Sequence, residues 1–318
     1  MNGRRQLEPV PLKENKVLPE IAVKNELEVD GRPYPVIEAG EGPLVVCLHG
    51  FPDNYETWQH QIEPIVAAGY RIVCPMMPGF APGTEPVSGA NTPLYASNKI
   101  IALIESLLAA SAEKNCHLIG HDWGALTSYI VAHQRPDLLA SLATLSIPYN
   151  VSLPRVILRC PSYGLGASWY VSFFQLKGLA DWCVKRKNMK FIDMLYRTWC
   201  PTWKNYDDRL ASTKETLQAP GVLKSCLSYY RNSLFGLNAD SFKWRRMYNG
   251  RINVPTLGIR GNVDGCMPEV AWELTSPKSF RNGLTLEVIP GDVGHFPQLE
   301  NPEWVSERLV GWVKQHSA

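Results

Sequence analysis

The sequence reads HLIGHDWGA from His117 to Ala125, and this stretch decides the fold. A short apolar run typical of a buried strand leads into the pattern Gly-x-Asp-x-Gly, and a helix-like run follows from Ala125 to Gln134. Small residues on both sides of Asp122 allow a strained turn from strand to helix, which lifts the central side chain out at the carboxyl edge of a sheet. The spacing therefore predicts a nucleophile elbow that carries Asp122.

A carboxylate at the centre of this turn favours one kind of chemistry. No Gly-x-Ser-x-Gly occurs anywhere in the chain, so a serine esterase would lack its nucleophile. A carboxylate can displace a leaving group from a saturated carbon, which leaves an alkyl ester on the protein, and water must then attack the ester carbonyl. The pattern alone also fits a glycine-rich turn capped by an aspartate, so it needs partners elsewhere in the chain.

The first partner is a loop close to the amino terminus. His49–Pro52 (HGFP) directly follows the apolar run Leu44–Leu48. In folds built on such an elbow, the loop after this strand supplies an oxyanion-hole donor. The backbone N–H groups of Phe51 and Trp123 are therefore the predicted donors to the oxyanion that forms when water attacks the ester.

Two later loops supply an acid and a base. The sequence GNVD ends at Asp264, just past a predicted strand that ends at Ile259, where an orienting acid is expected. The sequence GDVGHFP at 291–297 follows the predicted strand Leu284–Ile289 and places His295 in a loop. The order nucleophile, acid and histidine along the chain is that of the α/β-hydrolase triad.

Four other polar residues compete for these roles. Asp292 is an alternative acid, but it lies close to His295 in sequence and follows no strand end of its own, so Asp264 is favoured. His121 adjoins the nucleophile and is interpreted as a packing residue that points away from it. His117 and His133 are interpreted as strand and helix residues with satisfied ring nitrogens.

The rest of the chain predicts an α/β-hydrolase fold, with a mostly parallel sheet flanked by helices. Strand-like runs alternate with helix-like runs, such as Ile100–Ala112. This alternation indicates parallel strands, because parallel strands need a crossover between them. A hairpin is predicted around Asp30-Gly31. Residues 149–250 look helical and are rich in Trp, Tyr, Phe and Lys, which predicts a cap inserted between the core segments 1–148 and 251–318.

Composition excludes some classes of function. The 318 residues carry a formal net charge of +2, which gives no electrostatic reason to expect a nucleic-acid partner. Two short basic runs, Lys185–Lys190 and Lys243–Arg246, are interpreted as solvated helix faces.

Cysteine usage and the amino terminus indicate the compartment. Eight cysteines occur without a Cys-x-x-Cys pair or zinc spacing, which favours reduced thiols. Residues 1–20 are polar, with no apolar signal-peptide core, and no run is long enough to span a membrane. We therefore expect a cytoplasmic protein without a membrane partner, either a monomer or a homodimer.

These motifs resemble the α/β-hydrolase-fold epoxide hydrolases of the soluble type. The resemblance covers nearly the whole chain after about residue 20. It rests on HGFP at 49–52, on GHDWG at 120–124 and on GHFP at 294–297. It implies hydrolysis of a small apolar epoxide to a vicinal diol, with water as the second substrate and no metal or organic cofactor.

The resemblance also identifies two tyrosines in the predicted cap. Tyr170, within WYVSFFQ at 169–175, looks like the first cap tyrosine of the family, and Tyr230, within YYRN at 229–232, looks like the second; Tyr229 stays an alternative. A phenol, with a pKa of about 10, can donate a hydrogen bond and a proton to the departing epoxide oxygen. The residues predicted to bind substrate are Phe51, Trp123, Phe173 and Phe174.

The chain departs from the family pattern at one loop. After the predicted strand Arg71–Cys74 the family usually carries an aspartate and an arginine around Gly-Tyr-Gly, whereas this chain has PMMPGFAPG at 75–83. We expect that loop to border the core rather than the chemistry.

Two other functions fit part of the pattern. A haloalkane dehalogenase would use the same aspartate, histidine and acid, and Trp123 could stabilise the halide. Such enzymes usually carry asparagine where Phe51 lies, and they do not need paired cap tyrosines. A non-catalytic ligand-binding α/β-hydrolase is the third interpretation, although each catalytic position holds a competent residue.

Overall fold

The structure is a computed structural model that describes residues 18–86, 91–151, 153–163, 168–233 and 239–317. The prediction about a polar amino terminus rests largely on residues 1–17, which lie outside this part. The strands are β1 (Val23–Val29), β2 (Arg32–Ala39), β3 (Leu44–Leu48), β4 (Arg71–Pro75), β5 (Cys116–His121), β6 (Leu139–Leu145), β7 (Thr256–Arg260) and β8 (Leu284–Val288).

The helices lie between and after these strands. They are α1 (Gln59–Ala67), α2 (Pro93–Ala109), α3 (Trp123–Gln134), α4 (Leu153–Arg159), α5 (Trp169–Phe173), α6 (Leu179–Trp199), α7 (Asp207–Gln218), α8 (Val222–Ser233), α9 (Ala239–Tyr248), α10 (Glu269–Glu273), α11 (Pro297–Glu300) and α12 (Pro302–Gln315). The predicted helix over Ile100–Ala112 begins earlier than expected. Thr92 caps it by accepting a hydrogen bond from the Tyr95 amide at 3.1 Å, and Pro93 fits the first turn, where no amide donor is needed.

All eight strands form one sheet in the order β1-β2-β4-β3-β5-β6-β7-β8. The predicted hairpin is confirmed: β1 pairs antiparallel with β2, and the turn places Asp30 and Gly31 at φ of 50° and 74°. β2 pairs antiparallel with β4, and every pair from β4 to β8 is parallel. The predicted α/β-hydrolase fold, with a mostly parallel sheet, is confirmed.

The sheet brings the predicted site loops to one edge. β4 and β5 lie on opposite sides of β3, so the chain turns in opposite directions after β3 and after β5, and ligand sites in such sheets usually lie at this point. The loops that follow β3, β5, β7 and β8 leave the same carboxyl edge. They carry Phe51, Asp122, Asp264 and His295.

The two faces of the sheet pack into separate clusters. Along β3, Val45 and Cys47 join α1 and α12, whereas Leu44, Val46 and Leu48 join a larger cluster with α2 and α3. This alternation follows from the two-residue period of a strand.

The six helices α4–α9, here called the cap helices, lie between β6 and β7 in the chain. The larger cluster continues into α5–α9, whereas Val156 of α4 packs in a small separate cluster with Tyr163 and Ala271. The exact division into a core of 1–148 and 251–318 and a cap of 149–250 stays a prediction. In the described part of the chain, no helix is both long and apolar enough to cross a bilayer. All eight cysteines are free thiols.

Candidate active site

The elbow is strained, and close packing on both sides explains its glycines. Asp122 joins β5 to α3 with φ 51° and ψ −119°, a backbone conformation that residues other than glycine rarely adopt. A Cβ on Gly124 would lie 2.4 Å from the Leu48 carbonyl oxygen, and a Cβ on Gly120 would lie 2.5 Å from Ser128 Oγ. Only glycine fits at either position, so the backbone presents Asp122 rigidly at the sheet edge.

The predicted oxyanion donors flank this carboxylate. Phe51 N–H donates a hydrogen bond of 2.7 Å to Asp122 Oδ1. Trp123 is the first residue of α3, so its N–H has no acceptor within the helix. The loops that follow β3 and β5 pack closely against each other: a Cβ on Gly50 would lie only 2.3 Å from Asp122 Oδ1. One oxygen of Asp122 is thus held by an amide while the other faces the histidine.

The predicted base and acid form a bonded pair. His295 Nδ1 lies 2.9 Å from Asp264 Oδ2 and 3.1 Å from Oδ1, and Nε2 lies 3.6 Å from Asp122 Oδ2. Asp264 is fixed in turn by the amides of Cys266 at 2.7 Å and Met267 at 3.0 Å. The rival acid Asp292 is exposed and accepts from the Asn262 side chain. The structure therefore pairs the histidine with Asp264.

Burial and charge act in opposite directions on His295. Burial is the largest single effect on this pKa and lowers it, but the charge of Asp264, the neighbouring Cys266 and the side chain of Asp122 together outweigh it. The pKa of His295 consequently lies well above its usual value. The side chain is fully buried, and Nε2 has no hydrogen-bond partner among the described residues.

The backbone of His295 is held at both its amide and its carbonyl. His121 Nε2 and Ser146 Oγ both donate to the His295 carbonyl oxygen at 2.7 Å, and the His295 N–H donates to the Trp199 carbonyl oxygen at 3.1 Å. Burial lowers the pKa of His121 to about 3, so this ring is neutral. His121 does more than pack, because it helps to position the base. Nothing in the local sequence around Ser146 or Trp199 announces these contacts.

The loop that departs from the family pattern lies closer to the site than expected. Met77 N–H donates to His49 Nε2 at 2.8 Å, and His49 directly precedes the loop that carries the Phe51 amide. Burial lowers the pKa of His49 to about 3, so its Nε2 accepts this bond as a neutral ring. The expectation that 75–83 only borders the core was incomplete, since this segment supports the oxyanion loop.

One of the two predicted cap tyrosines, Tyr230, lies against the predicted oxyanion residues, and the other, Tyr170, packs against Tyr230. Tyr170 on α5 and Tyr230 on α8 are buried, and their ring centroids lie 5.9 Å apart at 80°. The Tyr230 ring contacts Phe51 and Trp123 at 5.4 and 5.0 Å. Tyr229 is committed elsewhere, because its hydroxyl donates to the Pro78 carbonyl oxygen at 2.8 Å.

The environment keeps both phenols protonated. Burial raises the pKa of Tyr170 well above its usual value, and the neighbouring Cys266 and Tyr230 add to the effect. Burial also raises the pKa of Tyr230, and the charge of Asp122 raises it further. The Tyr170 hydroxyl lies 3.4 Å from Cys266 Sγ. Both phenols are therefore neutral and can act as hydrogen-bond donors, and Tyr230 is close enough to Asp122 to be affected by its charge.

The two predicted pocket phenylalanines lie at different depths. Phe174 is fully buried and contacts Phe51 at 5.9 Å and Tyr230 at 5.0 Å. Phe173 is partly buried and stacks on Phe191 at 5.6 Å, one layer further from Asp122. The structure therefore brings Phe174, but not Phe173, against the oxyanion loop.

One group of residues in the described part of the chain has the chemistry of metal ligands. One ligand atom each from Asp264, Cys266 and His295 lies within 4.8 Å of the others. Two of the three already share a short carboxylate–imidazole bond, which is the arrangement of a histidine and its orienting acid. A reaction without a metal or organic cofactor stays a prediction.

Known proteins share this architecture. The family model described as alpha/beta hydrolase fold matches residues 43–181. A putative epoxide hydrolase from Klebsiella pneumoniae superposes with a TM-score of 0.79 at 23% identity, covering 92% of this chain and 97% of that one. An epoxide hydrolase from Vigna radiata gives 0.76 at 24% identity, covering 93% and 99%. The chain has the α/β-hydrolase fold.

Curated relatives match over most of the chain. A protein named epoxide hydrolase from Caballeronia sordidicola is 29% identical, covering 91% of this chain and 93% of its own length. The AB hydrolase superfamily protein YfhM from Bacillus subtilis is also 29% identical, covering 86% and 91%. The resemblance to the α/β-hydrolase-fold epoxide hydrolases, predicted from the motifs, is confirmed.

Proposed function

We propose that this protein is an epoxide hydrolase that converts epoxides to vicinal diols through an ester on Asp122. The observation that carries the proposal is a pair of buried, neutral phenols in one aromatic cluster with Phe51 and Trp123, the residues whose amides flank the Asp122 carboxylate. Relatives named epoxide hydrolase support it. The physiological substrate is expected to be small and apolar, and a cytoplasmic location and a monomeric or homodimeric state stay predictions.

Ring opening is the first chemical step. Phe51 N–H holds Asp122 Oδ1, which leaves Oδ2 to attack one epoxide carbon. A carbon–oxygen ester bond forms while the carbon–oxygen bond of the ring breaks. The electron pair goes to the epoxide oxygen, which takes a proton from Tyr170 or Tyr230. Such proton donation by a positioned group typically contributes about 10²–10⁴ in rate.

Ester hydrolysis is the second step. His295 Nε2, free of other partners and 3.6 Å from Asp122 Oδ2, takes a proton from a water molecule that attacks the ester carbonyl carbon. Negative charge develops on Oδ1, where the amides of Phe51 and Trp123 stabilise it; one such donor is worth roughly 10²–10³ in rate. Collapse of the intermediate breaks the bond between the carboxyl carbon and the ester oxygen, and the remaining proton of the water passes to the departing alkoxide. The diol leaves, the carboxylate is restored, and the proton on His295 returns to the tyrosine oxygen.

Haloalkane dehalogenation is the second candidate, and one observation favours it. Trp123 Nε1 is buried, lies close to the Tyr230 hydroxyl and makes no hydrogen bond of good geometry with any described residue. A free indole N–H beside the nucleophile could stabilise a departing halide. The two phenols are unexplained in that reaction. A non-catalytic binding protein would leave the whole histidine–acid arrangement unexplained.

Trapping the ester tests these alternatives. His295→Gln should still open the ring but hydrolyse the ester slowly, so the variant is mixed with styrene oxide or a chloroalkane and measured by intact mass. We expect a mass increase of one styrene oxide, located on Asp122 by peptide mapping and missing from Asp122→Asn/His295→Gln. An adduct from the chloroalkane alone would show a dehalogenase, and no adduct from either compound would favour the binding protein.

A further inference from the structure

A buried arginine on a cap helix meets the loop that carries the oxyanion donor. Arg209, on α7, has a side chain only 3% exposed, and its Nε lies 2.9 Å from Asp53 Oδ1. Its Nη1 lies 3.2 Å from Glu56 Oε2. Asp53 follows Phe51 by two residues. A cap residue, Arg209, therefore forms ion pairs with the segment that follows Phe51, whose amide contacts Asp122.

Further hydrogen bonds connect α7 to the same segment. Arg209 Nη2 donates to Asn54 Oδ1 at 2.7 Å, and Ser212 Oγ donates to Glu56 Oε2 at 2.7 Å. Lys24 adds a second cation, 2.7 Å from Glu56 Oε1. Positive charge from two separate elements thus faces two carboxylates of one loop.

The same helix also reaches the loop of the base. Thr213 Oγ1 donates to Asp53 Oδ1 at 3.3 Å, and it lies 2.9 Å from the Tyr196 hydroxyl. The Tyr196 ring stacks on Phe296 at 5.0 Å with only 8° between the planes, and Phe296 follows His295. Both loops that flank the nucleophile are thereby connected to one patch of α7.

Stability alone does not explain a buried ion cluster at this place. Taking charges out of water is costly, and well-packed apolar residues often stabilise a fold as well as a buried pair does. What charged groups with fixed hydrogen bonds supply is orientation, and a small displacement of a catalytic donor is costly to the rate. The place of the cluster, directly behind the oxyanion loop, points to such a role.

We propose that Arg209 is a positioning residue that holds the Phe51 amide for ester hydrolysis. This inference rests on the proposed function. The amide faces a full negative charge on Oδ1 only in the hydrolytic intermediate, whereas in ring opening the carboxylate loses charge. Loosening the loop must therefore slow hydrolysis more than ring opening, and the ester must accumulate in an enzyme that keeps His295.

The test measures the two steps separately in Arg209→Lys and Arg209→Met. Rapid-quench intact mass at saturating styrene oxide gives the rate of ester formation and the fraction of enzyme held as ester. The same variants combined with His295→Gln count the competent sites, so unfolded protein does not enter the ratio. The matched control is Lys214→Met on the same helix. It breaks the ion pair between Lys214 and Asp193 of α6 and leaves the contacts with the oxyanion loop in place.

We expect hydrolysis to fall about tenfold in Arg209→Lys and further in Arg209→Met, with ring opening within threefold and most of the enzyme as ester. The control should keep the original ratio. Equal loss in both steps, or an unchanged ratio in Arg209→Lys, would overturn the positioning role. If Arg209→Met does not fold, Arg209→Lys decides. Failure of His295→Gln alone to form any adduct would instead overturn the proposed function.

Discussion

The sheet edge and the cap hold their halves of the site by different physical means. At the sheet edge, Asp122 is fixed by a strained backbone between two glycines that nothing larger could replace. In the cap, Tyr170 and Tyr230 are held by aromatic contacts with one another and with Phe174, and neither residue has a positive φ. The proposed nucleophile thus lies on a constrained backbone, whereas the proposed proton donors are held by side-chain packing.

The two halves also differ in the steps that they serve. In the proposed mechanism, Asp122 at the sheet edge serves both steps, its neighbouring base, acid and oxyanion donors serve ester hydrolysis, and the two cap phenols serve ring opening. Substitution of a phenol should therefore slow ring opening and leave ester hydrolysis measurable, and substitution of the base or acid should do the reverse.

The largest effect should come from removing both cap phenols. Tyr170→Phe and Tyr230→Phe keep the rings, and each should slow ring opening by about 10²–10⁴ because the departing oxygen loses a donor. The double variant should show no detectable turnover. Single-turnover ester formation measured by rapid-quench mass separates this loss from any change in hydrolysis.

Tyr229→Phe is the matched control for the phenol experiment. It removes only the hydrogen bond to the Pro78 carbonyl oxygen, so about 1 kcal/mol of stability should be lost while turnover stays near normal. Substantial turnover in the double variant, or a larger loss in Tyr229→Phe than in Tyr230→Phe, would show that the donors are assigned wrongly.

A smaller effect should follow from changing the acid behind the base. His295 must be neutral to accept a proton, so hydrolysis should fall as the pH drops through the pKa of His295. Asp264→Asn removes the largest contribution that raises this pKa, so the acid limb should move to lower pH. The plateau should also fall, because the amide no longer fixes the Nδ1–H tautomer. Ester decay measured across pH shows both changes.

The same raised pKa affects stability in a defined direction. Protonated His295 is favoured in the folded protein, so its contribution is fully present below the unfolded value of about 6.5 and is lost as the pH rises through the folded-state pKa. The stability lost in Asp264→Asn should therefore shrink with rising pH, as measured by urea unfolding. An acid limb that does not move would contradict the assignment of Asp264.

The sequence predicts the sheet edge far better than the cap, for a physical reason. Gly120 and Gly124 are imposed by backbone approaches, and such constraints leave a fixed spacing that can be recognised in one chain. The contacts of Arg209 with Asp53 and of His121 with the His295 carbonyl join residues more than a hundred positions apart. They depend on how whole elements pack, and no local pattern records them. The tyrosines were found only through family resemblance.

The smallest effect distinguishes two neighbouring rings of the cap. Phe174 contacts Phe51 and Tyr230, whereas Phe173 stacks on Phe191 one layer out. Phe174→Leu should slow ring opening several-fold, because the Tyr230 ring loses a buried neighbour and its hydroxyl is held less well. In Phe173→Leu the rate of ring opening should stay within about twofold of the original, since the Phe173 ring does not contact Phe51 or Trp123. Ester formation rates for the two variants, each normalised by ester yield in the His295→Gln background, give the comparison. Equal losses in the two variants would mean that Phe173 also positions the phenols. The cap aromatic residues would then hold the phenols as one unit, rather than through Phe174 alone.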